Sequence, residues 1–180
     1  MKYGVFVGSF DPVHLGHIGV MNYLVQQNIV DQVLVIPTKN YWDKQNISDL
    51  KVRSDMLNLI KNESIIVNTK YSNYDYTYQI LEELKRNYPN DRFYLVIGAD
   101  NALTFSSWKH YLDIIENGII VVGRNGIDVN LKGANIILIN HDFGDISSTL
   151  IRSDVQHYQN YLDKRVYQYI KENKLYSFGG

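Results

Sequence analysis

Cysteine is absent from this chain of 180 residues. That absence excludes a disulfide scaffold, a zinc site built on thiolates and a cysteine nucleophile, and it is compatible with a reducing compartment. No apolar run in the sequence approaches the roughly 20 residues needed to span a bilayer, and the N-terminal apolar segment is too short for a secretory signal. We therefore expect a cytoplasmic protein that does not bind a membrane.

A strong charge of either sign is also missing, because the formal net charge is only -1. No overall positive field is available to hold a nucleic-acid backbone, so we expect no nucleic-acid partner. The 45% hydrophobic and 21% charged residues are ordinary values for a folded protein and exclude disordered and collagen-like classes. The length fits a single domain over residues 1–180, with C-terminal helices (about 147–176) packed on the core.

Short apolar runs rich in Val, Ile and Leu alternate along the chain with segments of helical periodicity. The runs predict strands at residues 3–7, 32–37, 64–69, 93–98, 118–124 and 135–140. The periodic segments predict helices at residues 15–27, 49–61, 76–87, 107–117, 149–158 and 164–173. Continuous apolar strands are typical of a parallel sheet covered on both faces, so we predict a doubly wound α/β fold. Ligands of such folds lie outside the carboxyl ends of the strands, where the strand order reverses.

The sequence GSFDPVHLGH at residues 8–17 follows the first predicted strand and opens the first predicted helix. Gly8 lets the backbone approach a ligand closely, and the free N–H groups of a helix start suit a phosphate. His14 and His17 add two donors on one helical turn, and we expect Gly16 to leave room for a ligand between them. The motif thus predicts an anion site. A turn with two surface histidines is the alternative, and a metal site is less favoured because no Cys or Glu stands at ligand spacing nearby.

A second candidate site is the sequence ISSTLIR at residues 146–152, which follows the last predicted strand and opens a helix. Ser147, Ser148 and Thr149 can cap that helix or direct their hydroxyl groups at a phosphate. Arg152 lies about one turn further on and can add charge-assisted hydrogen bonds. Alone, a Ser-Ser-Thr segment is most often only a cap. Two helix starts suited to phosphate in one small domain favour a polyphosphate ligand, because a triphosphate needs more than one anchoring surface.

Both motifs resemble those of a known superfamily. GSFDPVHLGH resembles the nucleotidyltransferase signature G-[ST]-F-D-P-x-H-x-G-H, and ISSTLIR resembles its partner motif I-S-S-T-x-I-R. Within that superfamily the chain most resembles the bacterial nicotinate-nucleotide adenylyltransferases, over nearly its whole length. The segments IGADNALTFSSW (97–108), DYTYQIL (75–81) and VYQYIKENKLY (166–176) are similar to further motifs of that family. The resemblance implies a Rossmann-like nucleotidyltransferase fold.

The resemblance also implies an activity: transfer of the adenylyl group of ATP to nicotinate mononucleotide, with release of pyrophosphate. The attacking phosphate is already an anion, so this chemistry needs positioning and charge stabilisation but no general base. His14, His17, Arg152 and Lys44 match the catalytic positions around the phosphates. Mg²⁺ would bridge phosphate oxygens largely through water, which requires no protein cage. The implied ATP-binding residues are Gly8, Ser9, Phe10, Gly98, Asp100, Ile146, Ser147, Ser148 and Thr149.

A mononucleotide site is implied by the same resemblance. Trp108 matches the residue that stacks on the pyridine ring, Thr77 matches one that lies beside the ring, and Arg124 matches one on the rim. Gly98 and Asp100 match the positions that bind the adenosine. These assignments make ATP and nicotinate mononucleotide the expected small-molecule partners, and the sequence leaves a homo-oligomer open.

Three positions depart from the family pattern. Val7 stands where a second glycine is usual, Asp43 replaces a histidine in the segment YWDK, and Asp75 replaces a serine. The polar loop at residues 38–48, which contains YWDK, is long for a compact domain, and such loops are often mobile and functional. Alternative acceptors are nicotinamide mononucleotide and pantetheine phosphate, although enzymes for the latter usually carry Thr at the position of His14. A non-catalytic nucleotide sensor is the alternative from a different class.

Overall fold

The structure is a computed structural model that describes residues 1–39, 47–123 and 135–176. Within these ranges the strands are β1 (Lys2–Gly8), β2 (Gln32–Pro37), β3 (Ile65–Val67), β4 (Arg92–Gly98), β5 (Ile119–Val122) and β6 (Ile136–Ile139). The helices are α1 (Leu15–Gln26), α2 (Leu50–Ile60), α3 (Thr77–Asn87), α4 (Ala99–Leu103), α5 (Tyr111–Asn117), α6 (Ser148–Ser153) and α7 (Lys164–Glu172). Two 3-10 turns, Phe105–Ser107 and Gln159–Tyr161, complete the described elements.

The described strands pair in parallel, in the order β3-β2-β1-β4-β5-β6. Val5 in the middle of β1 faces Leu34 of β2 on one side and Leu95 of β4 on the other. The chain builds outward from β1 to β3, returns to place β4 beside β1, and then builds outward to β6. The strand order therefore reverses between β1 and β4. The predicted doubly wound parallel α/β fold is confirmed.

Two apolar cores lie on opposite faces of this sheet. Because side chains alternate along a strand, Val33 of β2 packs in one core and Leu34 in the other. The first core includes Met21 of α1, Leu57 of α2 and Ile170 of α7, whereas α3 and α5 cover the second. The helix α7 thus packs on the sheet, while the assignment of the whole chain to a single domain stays a prediction.

Two helix predictions differ from the structure. Where the sequence predicts one helix at residues 107–117, α5 begins only at Tyr111, because His110 before it has a left-handed φ of 56°. The helix predicted at residues 149–158 ends at Ser153, because Asp154 after it is extended, with φ −161°. In the ranges that the structure describes, every helix is too short or too polar to cross a membrane.

Candidate active site

In a doubly wound sheet the ligand-binding crevice is expected where the carboxyl ends of β1 and β4 meet, and we call this place the crevice. β1 ends at Gly8 and β4 at Gly98, so a glycine stands on each side of the point where the strand order reverses. A Cβ added at Gly98 would meet no protein atom within 4 Å, so the backbone there faces open space. Doubly wound sheets bind their ligands in such a crevice.

His14 and His17 together cap the N-terminus of α1. Nδ1 of His14 accepts a hydrogen bond from the backbone N–H of Gly16 (3.1 Å), and Nδ1 of His17 accepts one from the backbone N–H of His14 (3.1 Å). The result is a reciprocal capping box in which two imidazoles replace the usual Ser or Thr and Glu or Gln. The two rings stack with their centroids 3.7 Å apart. We call this pair the histidine cap.

The capping bonds decide which ring nitrogen carries the proton. A nitrogen that accepts a hydrogen bond is unprotonated, so each neutral ring keeps its proton on Nε2. Burial lowers the pKa of His14 to about 4 from an ordinary 6.5. Burial also lowers the pKa of His17 well below its ordinary value, and a positive charge on His14 would lower it further. Both rings are therefore neutral at pH 7, and each offers one Nε2–H donor.

Gly16 is required by the histidine cap itself. A Cβ at this position would lie 2.9 Å from both Cε1 and Nδ1 of the His14 ring. The expectation that Gly16 leaves room for a ligand is therefore revised, because the imidazole of His14 fills that space. A larger residue at this position would push His14 off its capping bond.

The second motif packs directly against the first. Oγ of Ser148 donates a hydrogen bond to the carbonyl oxygen of Pro12 (2.9 Å), across 136 positions of sequence. Nη1 of Arg152 donates one to the carbonyl oxygen of Asp11 (2.9 Å), across 141 positions. Nη2 of Arg152 also lies 3.4 Å from Oγ1 of Thr149. The starts of α1 and α6 thus lie side by side. Arg152 of α6 contacts the loop that leads into α1.

Other residues predicted to bind ATP lie close to this junction. Ser147 caps α6 by accepting a hydrogen bond from the backbone N–H of Leu150 (3.2 Å), so capping is its role in this structure. Phe10 has a left-handed φ of 51°, and its buried ring meets the ring of His17 edge-on at 5.0 Å. Ile146 lies against Gly16, 3.5 Å from a Cβ built there.

Three further predictions concern charged residues. Asp100 is exposed in the first turn of α4, directly after the end of β4. Lys44 and Arg124 lie outside the described residues, as does most of the loop at residues 38–48. Their roles at the site stay predictions.

Three residues that were not singled out from the sequence support the loop at residues 9–12: Asp11, Arg53 and Tyr176. The guanidinium of Arg53 is 0% exposed and donates hydrogen bonds to the carbonyl oxygens of Ser9 (3.0 Å) and Ser48 (2.8 Å). The carboxylate of Asp11 is buried as well and accepts hydrogen bonds from the backbone N–H of Ser48 (2.8 Å) and from the hydroxyl of Tyr176. These contacts hold the loop at residues 9–12 that leads into the histidine cap.

Helical periodicity is a signal that could have found Arg53. It stands three residues before Met56 and four before Leu57, so all three share the buried face of α2. A buried guanidinium needs hydrogen-bond acceptors, so a charged residue on an apolar face marks a polar site beside the core. Burial lowers the pKa of Arg53, and the charge of Asp11 opposes that effect. Tyr176 carries no comparable signal, because its partner is 165 positions away.

A second cleft, of about 300 Å³, lies beside the start of α3. Its lining includes Asp75, Tyr76, Thr77, Trp108 and Lys109. Asp75 forms an ion pair with Lys39, which offsets the charge of this carboxylate. The ammonium group of Lys109 lies 4.7 Å from the centre of the Tyr76 ring. Thr77 and Trp108 therefore share a cleft that offers an aromatic surface and a positive charge.

The described residues do not fit a protein-held metal ion. Within them, no group of three or more His, Cys, Asp or Glu side chains is placed to ligate an ion. At the histidine cap each Nδ1 accepts a backbone N–H, and both carboxylate oxygens of Asp11 accept hydrogen bonds. A divalent cation at this crevice would therefore take its ligands from a bound polyphosphate or from water.

Comparison with known proteins first gives the class of protein. Residues 5–154 match the sequence profile described as cytidylyltransferase-like. This match covers most of the chain, so the chain belongs to the cytidylyltransferase-like family of nucleotidyltransferases.

Similarity over the full length of the chain identifies the family within this class. The chain is 32% identical to the probable nicotinate-nucleotide adenylyltransferase of Flavobacterium johnsoniae, covering 98% of this chain and 99% of that protein. It is 30% identical to the protein of the same name from Listeria innocua, covering 97% of each. A nicotinic acid mononucleotide adenylyltransferase of Plasmodium falciparum, complexed with NaAD, shares the fold with a TM-score of 0.85 at 23% identity over 98% of each chain. The chain is thus a member of the nicotinate-nucleotide adenylyltransferase family, as the sequence motifs indicated.

Proposed function

We propose that this chain transfers the adenylyl group of ATP to nicotinate mononucleotide, forming nicotinate adenine dinucleotide and pyrophosphate in NAD biosynthesis. The observation that carries the proposal is the junction of the two motifs, where Ser148 and Arg152 dock on the backbone of residues 11–12. This junction brings Arg152 against the loop that leads into the histidine cap. A polyphosphate is the kind of ligand that such a donor set binds. Relatives that match from end to end carry the name of this enzyme.

The reaction is an in-line displacement at the α-phosphorus of ATP. A phosphate oxygen of the mononucleotide forms the new P–O bond, the bond from the α-phosphorus to the bridging oxygen breaks, and pyrophosphate leaves with that electron pair. The attacking phosphate is an anion at neutral pH, so no base has to remove a proton. The protein has to supply orientation and donors for the developing charge.

Neutral histidines suit this task. In the proposal, the Nε2–H groups of His14 and His17 donate to the α- to γ-phosphates, since their Nδ1 atoms are occupied by the cap. Arg152 and the turn at residues 147–149 hold the β- and γ-phosphates, and Lys44 closes over them. The backbone of Gly8, Ser9 and Phe10, with the side chain of Ile146, forms the wall of this subsite. Mg²⁺ bound through the phosphate oxygens would supply further charge neutralisation.

The pyridine side of the proposal rests on the second cleft. Trp108 stacks on the pyridine ring, Thr77 lies beside it, and Arg124 stands on the rim. Gly98 and Asp100 bind the adenosine at the end of β4. The ammonium group of Lys109 in the cleft favours a ring that bears a carboxylate over one that bears a neutral amide, so nicotinate mononucleotide fits better than its amide.

Pyrophosphate release from ATP tests the proposal when three acceptors are supplied in turn: nicotinate mononucleotide, nicotinamide mononucleotide and pantetheine phosphate. We expect a kcat/KM for the nicotinate form about tenfold or more above the others, the ratio that 1.4 kcal/mol of binding energy gives. A preference for either other acceptor would reassign the substrate. ATP binding by calorimetry with no pyrophosphate from any acceptor would identify a non-catalytic sensor.

A further inference from the structure

Asp11 is a carboxylate that is only 1% exposed, in the loop between β1 and the histidine cap. Its Oδ2 accepts a hydrogen bond from the backbone N–H of Ser48 (2.8 Å), and its Oδ1 accepts one from the hydroxyl of Tyr176. Its main-chain carbonyl oxygen accepts one from Nη1 of Arg152 (2.9 Å). Three segments that are distant in sequence therefore fix both the side chain and the backbone of this one residue.

The charge of Asp11 is compensated next to the crevice. An unpaired carboxylate so near the histidine cap would repel a phosphate group. The buried guanidinium of Arg53 interacts with the charge of Asp11 and also donates hydrogen bonds to the carbonyl oxygens of Ser9 and Ser48. Asp11 thus acts as a neutralised anchor for the loop at residues 9–12.

Tyr176 reaches this anchor from the C-terminal end of the described residues. It follows α7 by four positions and has a left-handed φ of 56°. Burial and the charge of Asp11 raise the pKa of the Tyr176 hydroxyl, so this group is protonated at neutral pH and donates its hydrogen bond. This hydrogen bond holds the buried carboxylate in one orientation.

We propose that Tyr176 is a positioning residue of the nucleotide-phosphate site and that it acts through Asp11. This inference rests on the proposed function. The carbonyl oxygens of Asp11 and Pro12 accept the hydrogen bonds from Arg152 and Ser148 that join the two motifs. A shift of Asp11 therefore displaces the entry to the histidine cap and the docking of Arg152 together. Tyr176 controls the alignment of the donors without touching the substrate.

The chain offers a matched control for the test. Tyr176→Phe removes one hydroxyl that donates to a carboxylate, and Tyr169→Phe removes another, which donates to Oδ2 of Asp55 on α2 at 3.0 Å. Both tyrosines lie in the C-terminal segment, but the hydroxyl of Tyr176 donates to the loop at residues 9–12 and that of Tyr169 donates to α2. We expect kcat for pyrophosphate release to fall between about tenfold and a hundredfold in Tyr176→Phe. In Tyr169→Phe we expect kcat to stay at the wild-type value. We expect the decrease of Tm to be small and similar in both variants. Equal kcat in the two variants would overturn the inference.

A double-mutant cycle tests the route through Asp11. In an Asp11→Ala background, which leaves the Tyr176 hydroxyl no side-chain acceptor at position 11, Tyr176→Phe is expected to change kcat by less than about twofold, because residues that act as one unit are not additive. If the decreases of kcat in the two single variants multiply fully in the double variant, Tyr176 does not act through Asp11.

A measurement that does not depend on turnover separates this inference from the proposed function. The nitrogen-15 signals of the His14 and His17 rings report their hydrogen bonds, so Tyr176→Phe is expected to shift them and Tyr169→Phe to leave them in place. Such shifts in a protein whose wild type releases no pyrophosphate would refute the proposed function and support the positioning role. Unchanged ring signals in an active protein would overturn the positioning role alone.

Discussion

Replacing Gly16 by alanine tests whether the histidine cap is the working part of the crevice. The added Cβ would lie 2.9 Å from Cε1 and Nδ1 of His14. Since non-bonded carbon atoms approach to about 3.5 Å, the ring has to move by about 0.6 Å. That movement breaks the alignment of the 3.1 Å capping bond and of the 3.7 Å stack on His17. We expect kcat to fall between about tenfold and a hundredfold, because catalysis is sensitive to misplacement on this scale.

The stability of Gly16→Ala is expected to change little. Loss of the capping bond costs about 1 kcal/mol, whereas alanine is better than glycine in a helix by up to about 1 kcal/mol. Gly19→Ala is the matched control on the same helix, since its Cβ would meet only the ring edge of Phe143, at 3.3 Å. Pyrophosphate release and urea denaturation of both variants check the prediction. Wild-type kcat in Gly16→Ala, with the fold intact, would refute this reasoning about the cap.

Four further predictions follow from the site and its buried charges. His17→Ala should lower kcat about a hundredfold or more, because a transition-state donor is removed; near-normal turnover in a protein with an unchanged circular dichroism spectrum would exclude this role. Trp108→Ala should raise KM for the mononucleotide far more than KM for ATP, and steady-state kinetics showing equal increases would exclude ring stacking. The pKa of His14 is about 4 in the folded protein, against an ordinary 6.5 in the unfolded chain. As the pH falls, the unfolded chain therefore binds a proton before the folded protein does. We expect this difference to lower the free energy of unfolding by about 2 kcal/mol between pH 7 and pH 5. Urea denaturation of His14→Gln should show a smaller decrease over that range, and an identical pH dependence would contradict the lowered pKa. Arg53→Met should lower the free energy of unfolding, measured by urea denaturation, by about 3 kcal/mol or more, because it leaves the charge of Asp11 buried without its cation. Adding Asp11→Asn should recover part of that loss, and fully additive losses would show that the two charges do not interact.

The central strands could be predicted from sequence because burial on both faces makes them continuous apolar runs. β2 and β4 show this most clearly, each with five consecutive buried residues, at 33–37 and at 93–97. The starts of α1 and α6 were also predictable, since a glycine turn or a Ser-Ser-Thr segment directly before a periodic apolar segment is a signal for the start of a helix. The start of α5 was not predictable, because the left-handed turn at His110 that delays this helix leaves no periodic signature.

The contacts that complete the site were beyond the sequence. Tyr176 and Asp11 are each ordinary residues in their own segments, and only the fold brings them together. The need for Gly16 has the same origin, since it depends on the rotamer of His14 and not on the spacing of the two residues. Local patterns thus give the position of the crevice, whereas the hydrogen bonds that align its donors depend on tertiary packing.

The central place of β1 in the sheet constrains how a newly made chain acquires its structure. Its two neighbours are β2 and β4, so one edge stays unpaired until residues 92–98 have been synthesised. Ser148 and Arg152 of α6, which contact residues 11–12, are synthesised later still. Pairing between such remote segments is slow, and the open edge of an apolar strand is a template for aggregation meanwhile. Residues 92–98 must therefore be synthesised before both edges of β1 can be paired, and until then one edge of this apolar strand is open to pairing with other chains.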